Sequence, residues 1–151
     1  MDKHREMLQE LGATVVCGEL GPNELKKSVE KIRDARDYRW VGLYTICRGD
    51  FIIVAGTGNQ PPTYPRFSVK QGLAGAAVES KQTIVVDDVR KEPRYLPTFW
   101  TTLSEVIVPI CNDAGKVVGV LDVESDKLNA FGPEDREFLE GAASLLAHAM
   151  S

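Results

Sequence analysis

The residues that decide the fold are Ser104–Ser125, with the sequence SEVIVPICNDAGKVVGVLDVES. Two apolar runs rich in valine and isoleucine flank a polar segment, Asn112–Gly115, whose residue types favour turns. This pattern predicts an antiparallel hairpin, with one strand over residues 105–111 and the next over residues 116–124. Consecutive hairpins of this kind indicate a sheet that is mostly antiparallel.

The hairpin carries an unusual set of acidic residues. Side chains alternate between the two faces of a strand, so Asp122 and Glu124 share one face of the second strand. If Cys111 pairs with Lys116, Glu105 falls opposite Asp122. The three carboxylates then form a cluster, and their mutual repulsion raises their proton affinity unless a cation or a donor group joins them.

Three interpretations of this cluster stay open at this point. A ligand with an ammonium or other cationic group would relieve the repulsion. Alternatively, the strand ends reach solvent, or lysine and arginine neighbours pair with the carboxylates. Paired carboxylates also occur in hydrolases as acid and base, but nothing else in the sequence supports a hydrolase.

The remaining chain alternates helical and strand patterns around the hairpin. Apolar residues at helical spacing predict helices near both ends of the chain, and clusters of β-formers predict further strands. The predicted class is α/β (α+β). The helices are expected over residues 2–11, 22–35, 72–80 and 132–150, and the other strands over residues 40–47, 51–55, 67–69 and 83–86.

Length and charge restrict the protein further. The 151 residues predict one domain over residues 1–151. N-terminal helices are expected over 1–37, sheet and pocket loops over 38–125, and a C-terminal helix over 132–150. The net charge of −4, with lysine and arginine interleaved among acidic residues, predicts no nucleic-acid partner. No apolar run could span a membrane, and the first residues lack the apolar core of a signal peptide, so we expect a cytoplasmic protein without a membrane partner.

The cysteines and histidines predict neither a metal nor a cofactor. Cys17, Cys47 and Cys111 are an odd number without CxxC spacing, which argues against disulfides and a zinc site. His4 and His148 fall in the predicted terminal helices, away from any such cluster.

Aromatic residues suggest a pocket. Trp40, Gly42 and Tyr44 share one face of their strand, and the missing side chain of Gly42 leaves room between the two rings. They either form a wall of a ligand pocket or belong to the core under the terminal helices. Tyr95 and its loop neighbours Phe99 and Trp100 are expected to form a lid, because loops have few other reasons to carry three aromatics.

The turn Gly72–Gly75 opens a short helix. Backbone N–H groups at a helix start can bind a carboxylate or another anion. This turn and the carboxylate cluster together would suit a zwitterion, with its carboxylate toward the helix start and its ammonium toward the cluster.

Five segments carry a family pattern, in this order along the chain: Trp40–Tyr44, Gly72–Gly75, Ser104–Ile110, Gly119–Ser125 and Phe131–Asp135. Together they resemble the GAF domain family. The resemblance implies a GAF-like central antiparallel sheet of five or six strands, with the N- and C-terminal helices on one face. The short helix and ligand-enclosing loops would cover the other face, with Leu73 and Ala74 lining the pocket.

Within that family, the chain is similar to the free methionine-(R)-sulfoxide reductases. This resemblance implies two cysteines, one in the helix-opening turn and one several residues before the Ser-Glu pair. Here those positions hold Ala74 and Thr98. Because a thiolate must attack the sulfoxide sulfur and a second thiol must resolve the intermediate, we expect no catalytic residues and no enzymatic activity.

The predicted function is a small-molecule-binding sensory or regulatory module, with an amino acid or similar zwitterion as its ligand. The alternatives are a divergent reductase and a dimerisation module with a filled pocket. We expect a homodimer through the terminal helices, whose stripe Phe138, Leu139, Leu145, Leu146 and Met150 exceeds the need of one sheet face. The candidate ligand-binding residues are Trp40, Tyr44, Leu73, Ala74, Tyr95, Phe99, Trp100, Glu105, Ile107, Asp122 and Glu124.

Overall fold

The protein is described here by a computed structural model, which covers Leu8 and residues 21–150. Within residues 21–150, three α-helices and six strands make up the fold, with a short 3-10 turn at Val89–Lys91. The helices are α1 (Pro22–Arg36), α2 (Gly72–Ser80) and α3 (Pro133–Met150). The strands are β1 (Trp40–Cys47), β2 (Asp50–Gly56), β3 (Arg66–Ser68), β4 (Ile84–Val86), β5 (Ser104–Cys111) and β6 (Val117–Ser125).

The six strands form one sheet in the order β3-β2-β1-β6-β5-β4. Every neighbouring pair is antiparallel. The β5–β6 hairpin and β1 therefore occupy the centre, where strands have neighbours on both edges. This arrangement confirms the predicted class and the antiparallel sheet.

The helices α1 and α3 cover one face of the sheet. Alternate residues of the central strands, such as Leu43, Val108 and Leu121, face these helices and are buried. Val29 of α1 and Leu146 of α3 pack against them. The opposite face is covered by α2 and the long loops, as the family resemblance implied.

An acidic side chain joins the two covering helices. Asp135, in the first turn of α3, accepts hydrogen bonds from Arg36 Nε at 2.6 Å and from the Tyr38 hydroxyl at 2.7 Å. Its other oxygen accepts the backbone N–H of Gly132 at 2.8 Å. The residue therefore caps α3 and holds it against the end of α1.

The register of the β5–β6 hairpin corrects one prediction. Glu105 lies opposite Glu124, not opposite Asp122, whose partner is Ile107. The loop extends through Lys116, because the side chain of Asn112 accepts hydrogen bonds from the backbone N–H groups of Ala114 and Lys116. A register shift follows at the end of β5. The pairing therefore differs from the predicted one by two residues.

The remaining differences concern element ends and the termini. The predicted strand boundaries differ by at most one residue from the observed ones, and the loop over residues 87–103 contains the 3-10 turn. The predicted helix over residues 2–11 lies outside the described residues except for Leu8. Among the residues described, no helix is long and apolar enough to cross a membrane.

The apolar stripe of α3 does not supply a spare surface. Phe138, Leu139 and Leu146 are buried against the sheet of the same chain, and Leu145 and Met150 are partly buried against the same core. The stripe thus serves the monomer's own core. The predicted homodimer stays a prediction.

Candidate functional site

A pocket lies on the sheet face opposite α1 and α3. Its enclosed volume is about 20 Å³, enough for about one water molecule, so a larger ligand needs the surrounding loops to open. The sheet, the start of α2 and the loop before β5 supply its walls. The residues that line this carboxylate pocket are Tyr44, Tyr64, Phe67, Gly72, Leu73, Ala74, Leu96, Pro97, Thr98, Glu105, Ile107, Val120 and Asp122.

Three carboxylates lie together under this pocket, and we call them the carboxylate cluster. Glu105, Asp122 and Glu124 are 3%, 4% and 1% exposed, so water screens them little. One carboxylate oxygen from each lies within 4.8 Å of the others. No ion pair among the described residues includes any of the three. The structure therefore disagrees with solvated strand ends and with pairing to a neighbouring lysine or arginine.

Hydrogen bonds satisfy this cluster only in part. The Thr102 hydroxyl donates to Glu124 Oε1 at 2.9 Å. Glu124 Oε2 and Asp122 Oδ1 are buried and have no hydrogen-bond partner within the described part of the chain. Buried acceptors without a donor are costly, so both oxygens point to a donor group supplied by a ligand or by water.

The electrostatics of the cluster follow from its burial. Desolvation raises the pKa of Glu105 well above its ordinary value, and the neighbouring Glu124 raises it further. Desolvation likewise raises the pKa of Asp122, and the charges of both neighbours add to this. The buried Tyr44 beside them also has a raised pKa, first through desolvation and then through the carboxylate charges. Glu105 and Asp122 therefore bind protons more tightly than carboxyl groups in water do, and a cation beside them would favour their ionised forms.

An all-oxygen set of this kind could also hold a metal. Among the described residues, the carboxylate cluster is the group of potential metal-ligating side chains that converge closely enough to bind a metal ion. Carboxylate oxygens suit Mg²⁺ and Ca²⁺ better than zinc or copper. The absence of a metal stays a prediction.

The start of α2 forms the opposite wall. Gln71 precedes the helix without a side-chain capping bond, and Gly72, Leu73 and Ala74 line the pocket. The first N–H groups of a helix have no partner within the helix. They are available to an acceptor group in the pocket, such as a carboxylate.

The aromatic residues of β1 divide between two cavities. Trp40 and Tyr44 face the loop side of the sheet, away from α1 and α3. The room expected at Gly42 is filled, because an added Cβ there would lie 2.0 Å from the Trp40 ring. Phe99 packs edge-on against that ring, with centroids 5.0 Å apart. The indole is thus held between the sheet and the loop before β5.

Trp40 borders a second opening, which we call the side cavity. Its volume is about 190 Å³, and none of its lining residues lines the carboxylate pocket. Trp40, Glu124 and Thr102 form its inner end. The remaining lining residues are Arg39, Thr57, Gly58, Asn59, Gln60, Phe99, Thr101 and Ser125.

The predicted aromatic lid stays a prediction. Tyr95 and Phe99 pack on the loop-side core, whereas Trp100 is 84% exposed. Phe99 lines the side cavity, and neither Tyr95 nor Trp100 lines either cavity. Phe99 and Trp100 are adjacent in a tight turn, closed by the Thr102 N–H bonding to Phe99 O. Because Phe99 turns inward against Trp40, its neighbour turns outward.

Several lining residues were missed by sequence reasoning. Tyr64 lies in a proline-rich loop, and Phe67 was assigned only to a short strand. Thr102 holds Glu124 from a loop without a regular pattern. Only its contact with the buried Glu124 side chain marks Thr102 as part of the site. No local sequence motif predicts that contact.

The positions compared with the reductase cysteines do meet in space. Ala74 and Thr98 both line the carboxylate pocket. Cys47 and Cys111 are exposed, and neither lines the pocket. Cys17 lies outside the described residues.

Known reductases share both sequence and fold with this chain. It is 32% identical over 113 residues to a free methionine-R-sulfoxide reductase of Saccharomyces cerevisiae, covering 74% of this chain and 63% of that protein. It also matches the structure of a free methionine-R-sulfoxide reductase of Neisseria meningitidis in complex with its substrate. The TM-score is 0.87 at 26% identity, over 97% of this chain and 87% of the other.

These similarities contradict the expectation that the chain performs no chemistry. That expectation rested on two positions, Ala74 and Thr98, whereas the likeness to enzymes extends over most of the chain. The substitutions exclude thiols at these two positions, but they do not exclude a reaction. The prediction that the protein has no enzymatic activity was therefore wrong.

The family itself is shown by a match over most of the sequence. A profile of the GAF domain matches residues 23–150. GAF domain-containing protein A of Dictyostelium discoideum is 30% identical over 115 residues, covering 76% of this chain and 72% of that protein. The profile match includes the central strands, the start of α2 and α3, the elements that build the pocket. The chain belongs to the GAF domain family.

Proposed function

We propose that the carboxylate pocket binds a free amino acid or a similarly small zwitterion. A GAF domain is a small-molecule-binding module, and the chemistry of this pocket narrows the ligand class. The carboxylate cluster carries the proposal, because it is buried and pairs with no cation among the described residues, and because its members Glu105 and Asp122 line the pocket. We further propose that the protein acts as a sensory or regulatory module in the cytoplasm.

An ammonium group matches the needs of the cluster. It supplies three N–H donors and one positive charge, and Asp122 has a buried oxygen without a donor among the described residues. A neutral hydroxyl would supply a single donor and leave the repulsion among the carboxylates. Tyr44 beside the cluster adds an aromatic wall to the pocket.

The carboxylate of the same ligand would lie at the start of α2. Leu73 and Ala74 carry first-turn N–H groups, and both line the pocket. A helix N-terminus favours an anion through these donors and through the helix dipole. Donors on one wall and acceptors on the other select a zwitterion over either a simple amine or a simple acid.

Binding of L-methionine and of its deaminated and decarboxylated analogues tests the ligand class. Calorimetry should show that both analogues bind at least tenfold more weakly than the amino acid. Glu105→Gln should weaken L-methionine binding by about 1–3 kcal/mol, the range for a hydrogen bond to a charged group. The matched control is Glu137→Gln, which changes an exposed residue of α3. Equal binding of the deaminated analogue would refute the ammonium site.

A second candidate is the reduction of free methionine-R-sulfoxide. It is favoured by the yeast and Neisseria reductases, the latter solved with its substrate. The reaction converts the sulfoxide to the thioether and releases its oxygen as water, while two thiols become a disulfide. A thiol must therefore reach the ligand in the pocket.

Turnover with a dithiol reductant tests this candidate. Loss of free methionine-R-sulfoxide and formation of methionine should be followed in the wild type and in serine variants of Cys17, Cys47 and Cys111. A reductase should show turnover that one of these variants abolishes. Turnover equal to that of the reductant alone would leave binding as the function.

A further inference from the structure

Two loops form part of the wall of the carboxylate pocket. The first, over residues 57–65, contributes Tyr64, and the second, over residues 87–103, contributes Leu96, Pro97 and Thr98. With the loops in these positions, the enclosed volume is about 20 Å³, close to the space of one water molecule. A free amino acid is several times larger, so it can enter only after one of the loops has moved.

One backbone carbonyl joins the two loops beside the pocket. Thr98 O accepts the N–H of Thr63 at 3.0 Å and the hydroxyl of the same residue at 2.7 Å. Thr98 lines the pocket, and so does Tyr64, the residue after Thr63. We call this pair of hydrogen bonds the latch. Thr63 is exposed, so water can replace both bonds when the loops separate.

The second loop is anchored to the sheet. The hydroxyl of Thr102 donates to Glu124 at 2.9 Å, and Phe99 packs edge-on against Trp40 with ring centroids 5.0 Å apart. A movement of this loop would break both contacts. The first loop is therefore the one that can move at lower cost.

The first loop is fixed at its two ends and held at its tip by the latch. Near its start, Lys26 Nζ donates to Gly58 O at 2.7 Å. At its end, Ile53 N–H donates to Pro65 O at 2.9 Å. Within the described part of the chain, the tip between these contacts makes hydrogen bonds only through Thr63. Loss of the latch would thus release the tip while the ends stay in place.

We propose that the latch between Thr63 and Thr98 controls entry to the carboxylate pocket. Both hydrogen bonds break, the tip at residues 59–64 moves away from the second loop, and the ligand binds to this open form. Pro62 is buried in the closed form, and its exposure on opening keeps the open fraction small. The apparent dissociation constant is then that of the open form divided by the open fraction. The identity of the ligand rests on the proposed function, whereas the loop movement does not.

Removal of the Thr63 hydroxyl should strengthen ligand binding. Thr63→Val keeps the size and the N–H of the residue but loses the shorter hydrogen bond, so the open fraction should rise about threefold or more. Calorimetry should show that the dissociation constant of L-methionine falls by the same factor. A residue that only shapes the pocket would show the opposite sign, because its loss would weaken binding.

Two variants provide the controls for this measurement. Thr63→Ser keeps the hydroxyl and should bind L-methionine within about twofold of the wild type. Thr83→Val removes a comparable hydroxyl, which donates to Glu140 at 3.1 Å, from the segment before β4. Because Thr83 belongs to neither loop, this variant should leave the affinity unchanged.

Amide hydrogen exchange measures the opening without any ligand. Thr63→Val should lower the protection factor of residue 63 about threefold or more, since exchange follows local opening. The N–H of Thr57 donates to Val41 O at 3.0 Å at the start of the loop, and it should keep its protection. This difference would show that the tip opens while the start of the loop stays fixed.

Two results would overturn the proposal. One is an unchanged protection factor at residue 63 in Thr63→Val. The other is an affinity for L-methionine that is unchanged or lower in this variant. If L-methionine binds to neither protein, the zwitterion proposal fails, and the protection factor alone decides whether the latch governs opening.

Discussion

Glu105 of β5 lies directly opposite Glu124 of β6, and both side chains are buried. Directly opposite like charges destabilise a pair of strands, and burial adds a desolvation cost. Asp122, one position along on the same face, adds a third group. The cluster is therefore electrostatically unfavourable when all three groups are ionised without a cation, and this relationship has a measurable dependence on pH.

We predict that the unliganded protein loses stability as the pH rises above 4.5, the ordinary pKa of a glutamate side chain. The folded-state pKa of Glu105 is raised above its ordinary value of 4.5, so the folded state binds more protons than the unfolded state above that value. Stability then falls with rising pH until the folded-state pKa is passed. Each tenfold difference in proton affinity between the two states corresponds to about 1.4 kcal/mol. Thermal unfolding in this range should show a smaller fall for Glu105→Gln than for the wild type.

The exposed Glu137 provides the control for this measurement. Glu137→Gln removes the same charge from the surface of α3, so its unfolding temperature should follow the wild type at every pH. A Glu105→Gln profile parallel to the wild type would show that the cluster is not the cause.

Asp135 should have the opposite dependence on pH. Burial alone would raise its pKa, but the hydrogen bonds from Gly132, Tyr38 and Arg36 outweigh burial and lower it. Its stabilisation is therefore present above the ordinary pKa of 3.8 and is lost as the pH falls through the lower folded-state pKa. Asp135→Asn should destabilise the protein by about 2 kcal/mol at neutral pH, measured by denaturant unfolding.

The control for this variant is Asp113→Asn in the exposed β5–β6 loop. It should change the free energy of unfolding by less than about 0.5 kcal/mol. If Asp135→Asn were equally mild, the contact between α1 and α3 would not depend on this carboxylate.

The sequence predicted the acidic face of the sheet correctly although it predicted the wrong partner for Glu105. The alternation of side chains has a period of two, and the observed register differs from the predicted one by two residues, so each carboxylate keeps its face. The error arose in the loop between β5 and β6. Hydrogen bonds to Asn112 and a register shift make this loop longer than predicted, and no local sequence pattern predicts either feature.

Other features depended on packing and could not be predicted. Sequence alone could not decide that Trp40 occupies the space beside Gly42, because this requires the direction of the indole ring. It also could not decide which loop aromatic turns inward. Phe99 does and Trp100 does not, although both belong to the same loop.

The contact between Trp40 and Gly42 can be tested directly. Gly42→Ala would place a Cβ 2.0 Å from the indole, and the ring must move, at a cost of about 1–3 kcal/mol. Gly141→Ala in α3 is the matched change, because its Cβ would lie 3.5 Å from Leu8, an ordinary contact. That variant should gain about 0.5–1 kcal/mol from the helix preference for alanine. Urea unfolding of the two variants should show shifts of opposite sign.

The last prediction compares the neighbouring loop aromatics. Phe99 is half-buried and packs against Trp40, so Phe99→Ala should cost about 1–3 kcal/mol of stability through lost aromatic burial. The emission of Trp40 should shift to longer wavelength as water reaches its ring, best read in a Trp100→Phe background. Trp100 is 84% exposed, so Trp100→Ala should leave the free energy of unfolding within about 0.5 kcal/mol of the wild type.

The same pair decides whether the loop acts as a lid. Because Trp100 lines neither cavity, Trp100→Ala should leave the affinity for L-methionine within about twofold of the wild type. A clear loss of affinity without a loss of stability would show that Trp100 folds over the bound ligand, as the sequence first suggested. In that case the emission of Trp100 should also move to shorter wavelength when ligand is added, since its ring would leave water.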